Sequence, residues 1–293
     1  MKTRKEFIDA FYRELDIRNY SKNTIETYTG YLAQFLLAMN GKPKDDVLGS
    51  IKTFLLSIEN TNTRGMYVIV IRNFYKYVLK IELSLDDIPY PRKTNYLPYI
   101  LSVQEVERLL NCIDNIKHKA IIQLMYSCAL RISELPEIEV NRTICHIDSD
   151  RKILIVKGAK GFKDRHVPIP VHTINMLRNY RSEYKFGKWL FMGQNEQKYS
   201  TRSIQQIFKR AVQKARISKK VTPHSLRHSR LTHLCEAGVD IYKLKEIAGH
   251  SNIKTTEIYL HLSKKSLVNA IELADIIIAN SLSNQEFTKE LAA

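Results

Sequence analysis

The sequence predicts a mainly α-helical protein with one small β-sheet, divided into two domains by an extended linker. Three observations carry that expectation. Apolar residues recur at helical spacing along most of the chain; two short β-branched runs, 152–157 and 166–169, interrupt it; and Ile88–Pro98 holds three prolines with no period. A length of 293 residues allows one large or two medium domains, and 44% hydrophobic residues supply their cores.

Residues 6–17 and 21–39 read as the first two helices. In the second, Ser21 is the expected N-cap, and Ile25, Tyr28, Leu32, Phe35, Leu36 and Met39 keep the period until Gly41-Lys42-Pro43 stops it. A shorter helix follows near 45–59. After a turn at Asn60-Thr61-Asn62 comes a fourth, with Met66, Ile69, Val70, Phe74, Tyr77 and Val78 on one stripe. Residues 1–88 therefore read as a small helical domain. Arg64, Arg72, Lys76 and Lys80 project from its last helix, into solvent or toward a polyanion. Residues 89–98 are the expected linker, because the residue before each proline is pushed to extended backbone, and 99–293 form the second domain.

In that second domain Ser102-Val103-Gln104-Glu105 is a capping box opening a helix to about Asn111. Residues 117–130 form another, whose Ile121, Ile122, Leu124, Met125 and Leu130 predict deep burial and whose end delivers Arg131. Glu134 either hydrogen-bonds a neighbouring cation or starts the next helix. The runs 152–157 and 166–169 pair as strands joined by a hairpin loop over 158–164. The helical period returns at 173–184 and 201–215. Residues 266–280 read as an amphipathic helix with Leu267, Ala270, Ile271, Ala274, Ile277 and Ile278 on its apolar side, and 281–293 as a polar tail.

Charge narrows the function. Lys+Arg 46 against Asp+Glu 30 gives a net +16, so a polyanionic partner is the first expectation. The excess sits mostly past the linker: residues 1–97 hold 15 basic and 11 acidic side chains, whereas 98–293 hold 31 and 19. Between Glu196 and Glu236 there is no acid, but ten lysines and arginines. Such density favours contacts to a phosphate backbone. Cys112, Cys128, Cys145 and Cys235 form no C-x-x-C pair and read as reduced core residues of a cytoplasmic protein. No apolar run approaches the roughly 20 residues of a membrane span, and the polar N-terminus does not read as a signal peptide.

The chemistry gathers between Thr222 and Tyr259. Pro223 suits the first turn of a helix, which puts His224, Arg227 and His228 at i, i+3 and i+4 on one face. Gly249 reads as a C-cap that turns His250 back toward them, and Tyr259 follows on a short helix. An arginine grips paired oxygens, an imidazole moves protons near neutral pH, and a phenol oxygen can form a covalent ester. Together they suit reaction at a phosphate.

Five segments in order, Ala129-Leu130-Arg131-Ile132-Ser133-Glu134-Leu135, Ala159–Pro168, His224-Ser225-Leu226-Arg227-His228, Gly249-His250 and Tyr259, resemble those of the tyrosine recombinases, or phage integrases, and most closely their Xer-like branch. The likeness is weak before residue 97 and strong after it. It implies a two-domain architecture, a helical SAM-like core-binding domain and an α+β catalytic domain, closing as a clamp around double-stranded DNA. It also implies a site-specific recombinase that cuts and rejoins strands through a 3′-phosphotyrosyl bond. In that reading Tyr259 is the nucleophile, Arg131 and Arg227 hold the phosphate oxygens, His250 donates to the same phosphate, His224 is general base and Lys160 protonates the leaving 5′ oxygen. Lys157 and Lys163 compete with Lys160 for the last role. Tetramers on paired recombination sites are implied, with residues 266–280 docked on a neighbouring copy and an accessory DNA-bending or directionality protein as a further partner. Pro136 after Ser-Glu-Leu and a long interval between Arg131 and Lys160 depart from the family pattern.

Neither ATP nor metal is expected, since the sequence has no G-x-x-x-x-G-K-[ST] loop, no H-E-x-x-H and no acidic cluster for Mg²⁺. Three other readings compete: a type IB topoisomerase relaxing one duplex, a metal hydrolase built on His224, His228 and His250, and a non-catalytic DNA-binding regulator.

Overall fold

The structure is a computed structural model describing residues 3–39, 47–92, 97–140, 145–158, 164–184 and 187–263. Lys160, Lys163 and the apolar stripe at 266–280 lie outside the described residues. The chain divides into two compact units, Met1–Tyr96 and Leu97–Ala293.

The first unit is helical. It holds α1 (Arg4–Ile17), α2 (Lys22–Ala38), α3 (Val47–Leu56) and α4 (Thr61–Phe74), and α4 runs on into one wide π-turn at Tyr75–Leu79. Its starts are set locally: Thr3 and Glu6 form a reciprocal capping box on α1, while Ser21 and Asn60 accept from the third amide of α2 and α4. Phe11, Leu15, Leu32, Ile51, Val70, Ile71 and Phe74 are fully buried at its centre. The buried stripe of α4 is rotated from the sequence expectation. Tyr67, Val68, Val70, Ile71 and Phe74 face the core, whereas Met66 and Ile69 are half-buried. The helix is apolar on more than one side, so period alone does not set its rotation. The π-turn then buries Tyr75 and leaves Tyr77 and Val78 half-buried against the core.

The four cations of that helix are engaged within the unit. Arg64 and Arg72 donate to the carbonyls of Ile58 and Ser84 at 3.0 Å each, Lys76 meets Glu82 at 2.9 Å and Lys80 meets Glu14 at 3.5 Å.

The second unit begins with α5 (Val103–Asn111), opened by the Ser102 and Glu105 capping box, and α6 (Ile116–Ser127), capped by Asn115. Helix α6 is the centre of the core: Ala120, Ile121, Ile122, Leu124 and Met125 are all fully buried. It stops before the expected 130, because Ala129 adopts φ +48 and reverses the chain. A single 3₁₀ turn, Leu135–Glu137, follows. Strands β1 (Ile147–Asp148), β2 (Ile153–Val156) and β3 (Arg165–Pro168) form an antiparallel sheet in that order, with Ile155 opposite His166 and Val156 opposite Arg165. Two-residue β1 is too short to show in a sequence pattern. Among the described residues, helices α7 (Val171–Glu183), α8 (Thr201–Lys214), α9 (Pro223–Glu236), α10 (Ile241–Ala248) and α11 (Lys254–Leu262) follow. Of the four cysteines expected in the core, Cys128 is buried, Cys112 and Cys235 are half-buried and Cys145 is exposed, because it lies beside the short edge strand β1. Among the described residues no helix is long and apolar enough to cross a membrane.

Candidate active site

A small apolar cluster of Ala129, Leu231, Leu244, Ala248 and Tyr259 joins the end of α6 to α9, α10 and α11, and the polar residues stand around it. Pro223 occupies the first turn of α9, and the Thr222 amide donates to Ser225 Oγ at 3.1 Å. That start fixes the rotation of α9. His224 and His228 then lie edge to face with ring centroids 4.6 Å apart, and Arg227 points into the protein at 1% exposure.

The C-terminus of α10 is the anchor of the site. Gly249 sits in the left-handed region at φ +61 and ends the helix, which leaves the last carbonyls without helical partners. Three guanidiniums take them in turn. Arg165 Nε donates to Ile247 O at 2.9 Å, Arg227 Nη2 donates to Ala248 O, and Arg131 Nη2 donates to Gly249 O at 2.8 Å. Positive charge is favoured at this end of a helix, and the approach is close: a Cβ on Gly249 would stand 2.9 Å from Arg165 Cδ. Arg227 is further fixed by donating Nη1 to Ala129 O at 2.7 Å, the carbonyl presented by the turn that ends α6. Glu134 accepts from Arg131 Nη1 and from the Arg131 amide, both at 2.7 Å. Glu134 therefore does both things expected of it, preceding the 3₁₀ turn and hydrogen-bonding a neighbouring cation.

Tyr259 projects from α11 into the middle of this ring. Its hydroxyl lies 3.2 Å from His228 Nδ1, and its ring stacks on His250 with centroids 6.3 Å apart and planes 9° from parallel. His250 bridges Thr256 Oγ1 at 3.0 Å through Nδ1 and Arg227 Nη2 at 3.1 Å through Nε2. A guanidinium can only donate, so His250 Nε2 is the acceptor and Nδ1 carries the proton.

Arg131, Arg227, His250 and Tyr259 are thus brought together. His224 is present but one imidazole removed from the phenol, and it is His228 that touches the hydroxyl. The alternation of His224 and His228 on one face left that choice to side-chain geometry. Arg165 and Thr256 were not anticipated. Nothing in Lys-Asp-Arg-His marks Arg165 as buried, and a threonine beside a second threonine carries no signal of its own. Among the described residues no group of three or more His, Cys, Asp or Glu could hold a metal ion.

Burial sets the charge states here. It pushes His228 down to about 4, helped by His224 and Arg227, and His250 down to about 4, helped by Arg227 and Arg131. His224 is lowered for the same reasons. Burial likewise lowers Arg227 to about 10, with Arg131 adding to it, which leaves the guanidinium charged at neutral pH. The Tyr259 phenol is raised by burial against the opposing pull of Arg227 and Arg131. For Glu134 burial raises the pKa, but Arg165 and Arg131 more than offset it and hold the carboxylate below its usual range.

These shifts predict a pH dependence of stability. Histidines lowered in the folded state are neutral there while the unfolded chain already binds protons. Stability is therefore complete above about 6.5 and falls as pH drops toward about 4. The thermal midpoint should decline across that window, and less steeply in His228→Gln. An equal slope in that variant would mean the imbalance lies elsewhere.

The phage integrase family model matches residues 100–266. The tyrosine recombinase XerA of Pyrococcus furiosus is 31% identical over 280 residues, covering 94% of this chain and 96% of that protein. A crystal structure of XerA recombinase superposes with a TM-score of 0.55 at 26% identity, covering 92% of this chain and 98% of that one. A XerH site-specific recombinase bound to its palindromic difH substrate, in a post-cleavage complex, shares the fold with a TM-score of 0.68 at 20% identity, covering 88% and 82%.

Proposed function

The chain belongs to the phage integrase family and is a tyrosine site-specific recombinase acting on DNA, and from that premise we propose that Tyr259 is its nucleophile. The observation that supports this most is the Tyr259 hydroxyl itself, held 3.2 Å from an imidazole and ringed by two arginines and His250. The phenol oxygen attacks the scissile phosphorus, its proton passes to His228 Nδ1, and the bond to the 5′ oxygen breaks, leaving a 3′-phosphotyrosyl ester. Arg131 and Arg227 neutralise the two non-bridging oxygens as charge develops. A phosphate seated there also cancels part of the positive charge that depresses the imidazoles, which moves their pKa values toward proton uptake at the moment it is needed. His250 joins as a donor once the phosphate takes the Arg227 N–H that it now accepts: Nε2 takes up a proton from solvent and donates it to the phosphate, while Nδ1 keeps its proton on Thr256 Oγ1. His224 supports His228 as the second base. Lys160 protonates the leaving 5′ oxygen.

We assign the helical first domain, residues 1–88, to binding the core DNA site, 89–98 to the linker and 99–293 to catalysis. The reaction belongs in the cytoplasm, on double-stranded DNA, with two protomers per site, a tetramer joining two sites and an accessory DNA-bending or directionality protein. Residues 266–280 carry the link between protomers. Truncation after Ser263 should keep single-site affinity within a few-fold while abolishing the paired-site complex on a native gel; loss of the thermal transition would place that segment in its own core instead.

The chemistry is tested on a nicked DNA substrate drawn from the flanks of the gene, in EDTA and without nucleotide. A covalent protein–DNA adduct is expected on a denaturing gel, and adduct formation that depends on added Zn²⁺ or Mg²⁺ would overturn the mechanism. In the same assay a 5′-bridging phosphorothiolate, whose thiolate leaves without a proton, should restore Lys160→Ala. A type IB relaxing activity would differ by cleaving without preference for site.

A further inference from the structure

We propose that Arg165 is a positioning residue for strand cleavage, acting through Glu134 on the guanidinium of Arg131. The inference rests on the assignment of Arg131 as a phosphate clamp.

Arg165 opens β3, and its side chain is 7% exposed against 31% for Arg131. Its three guanidinium nitrogens are all engaged within the protein, on Glu134 and on Ile247 O. Its fork closes on Glu134 with Nη1 to Oε1 at 2.7 Å and Nη2 to Oε2 at 2.8 Å, while Nε holds Ile247 O at 2.9 Å. Glu134 is thus shared: each carboxylate oxygen accepts once from Arg165 and once from Arg131, through the guanidinium at Oε1 and the backbone amide at Oε2. Because Arg165 occupies both oxygens, Glu134 meets the Arg131 guanidinium through a single Nη1 bond, and Nη2 stays on Gly249 O.

Removing the fork changes that balance. A half-buried carboxylate that loses two charge-assisted bonds recovers them from the nearest donor, and the nearest is Arg131. A two-pronged Glu134–Arg131 pair would turn the guanidinium away from Gly249 and neutralise the charge meant for the phosphate. Lysine cannot substitute, since an ammonium is a point charge without the planar fork.

The experiment compares full-length Arg165→Lys, Arg131→Ala and their combination in single-turnover cleavage of the nicked substrate, beside DNA affinity and thermal midpoint. Arg165→Lys should fold, bind DNA within a few-fold of wild type and cleave about 100-fold more slowly, the scale of a misplaced catalytic group. The double variant should be no slower than Arg131→Ala alone. On a substrate whose scissile phosphate is a neutral methylphosphonate, the losses from Arg131→Ala and Arg165→Lys should shrink together. Wild-type cleavage by Arg165→Lys, additive losses in the double variant, or no relief on methylphosphonate each overturns the proposal. Wild-type cleavage by Arg131→Ala would instead overturn the clamp assignment beneath it. If Arg165→Lys loses its thermal transition, Glu134→Gln carries the same comparison, and loss of fold in both assigns the pair to stability and overturns the positioning role.

Discussion

Tyr259→Phe should bind its DNA site within a few-fold of wild type and form no covalent adduct at all. The substitution removes one oxygen from a ring whose stacking on His250 and packing against Ala248 and Leu231 it leaves in place. The hydrogen bond to His228 that is lost is worth only about 1 kcal/mol of stability, so the fold persists while the nucleophile is gone. Tyr242 is the control. It sits on the first turn of α10 at 70% exposure, outside the polar ring, and Tyr242→Phe should cleave normally. An adduct in Tyr259→Phe that disappears in Tyr242→Phe would move the nucleophile and dismantle the site described above.

Arg227→Ala should damage both activity and stability. Cleavage should fall by about 10²–10³-fold or more, the usual consequence of deleting a preorganised charge at a reacting oxyanion. Stability should fall as well, because the Ala129 and Ala248 carbonyls lose their donor inside the protein, at about 1–3 kcal/mol for each buried group left unpaired. The two effects separate by temperature. Cleavage is measured well below the variant's thermal midpoint, where the folded fraction is complete. Arg227→Ala that cleaves normally there would remove this residue from the phosphate clamp. Arg227→Lys should regain part of the charge and little of the stability, since one ammonium cannot reach both carbonyls and His250 in the guanidinium's geometry.

What could be read from the sequence was whatever a few neighbouring residues determine among themselves. The Ser102 and Glu105 capping box, the proline in the first turn of α9 and the left-handed cap at Gly249 are local devices, and each stands where the spacing put it. They bring Arg227, His250 and Tyr259 to one place because helix starts and stops fix which way the side chains face. The rest depends on contacts distant in sequence. The rotation of α4 depends on a π-turn and on the partners of Tyr67; the early stop of α6 on a turn at Ala129 whose carbonyl is held from α9. Which histidine meets the phenol is decided by α11 packing across α9, and two positions on one helical face are equivalent until that happens. Arg165 is the clearest case. An arginine at a strand end is ordinary, and its importance comes from Glu134 and Ile247, 31 and 82 residues away.

The nucleophile is also hidden. Tyr259, on α11, is 1% exposed, so its oxygen meets a phosphorus in line only once the packing around it opens. That helix is nine residues long, and Ile253 before it provides no side-chain cap, so its hold on this position rests on packing rather than on its own propensity. Cleavage is then the product of two quantities: the fraction of time the phenol stands open and the rate at which the open form reacts. For a process of this kind, anything that lengthens the open interval raises the cleavage rate in proportion.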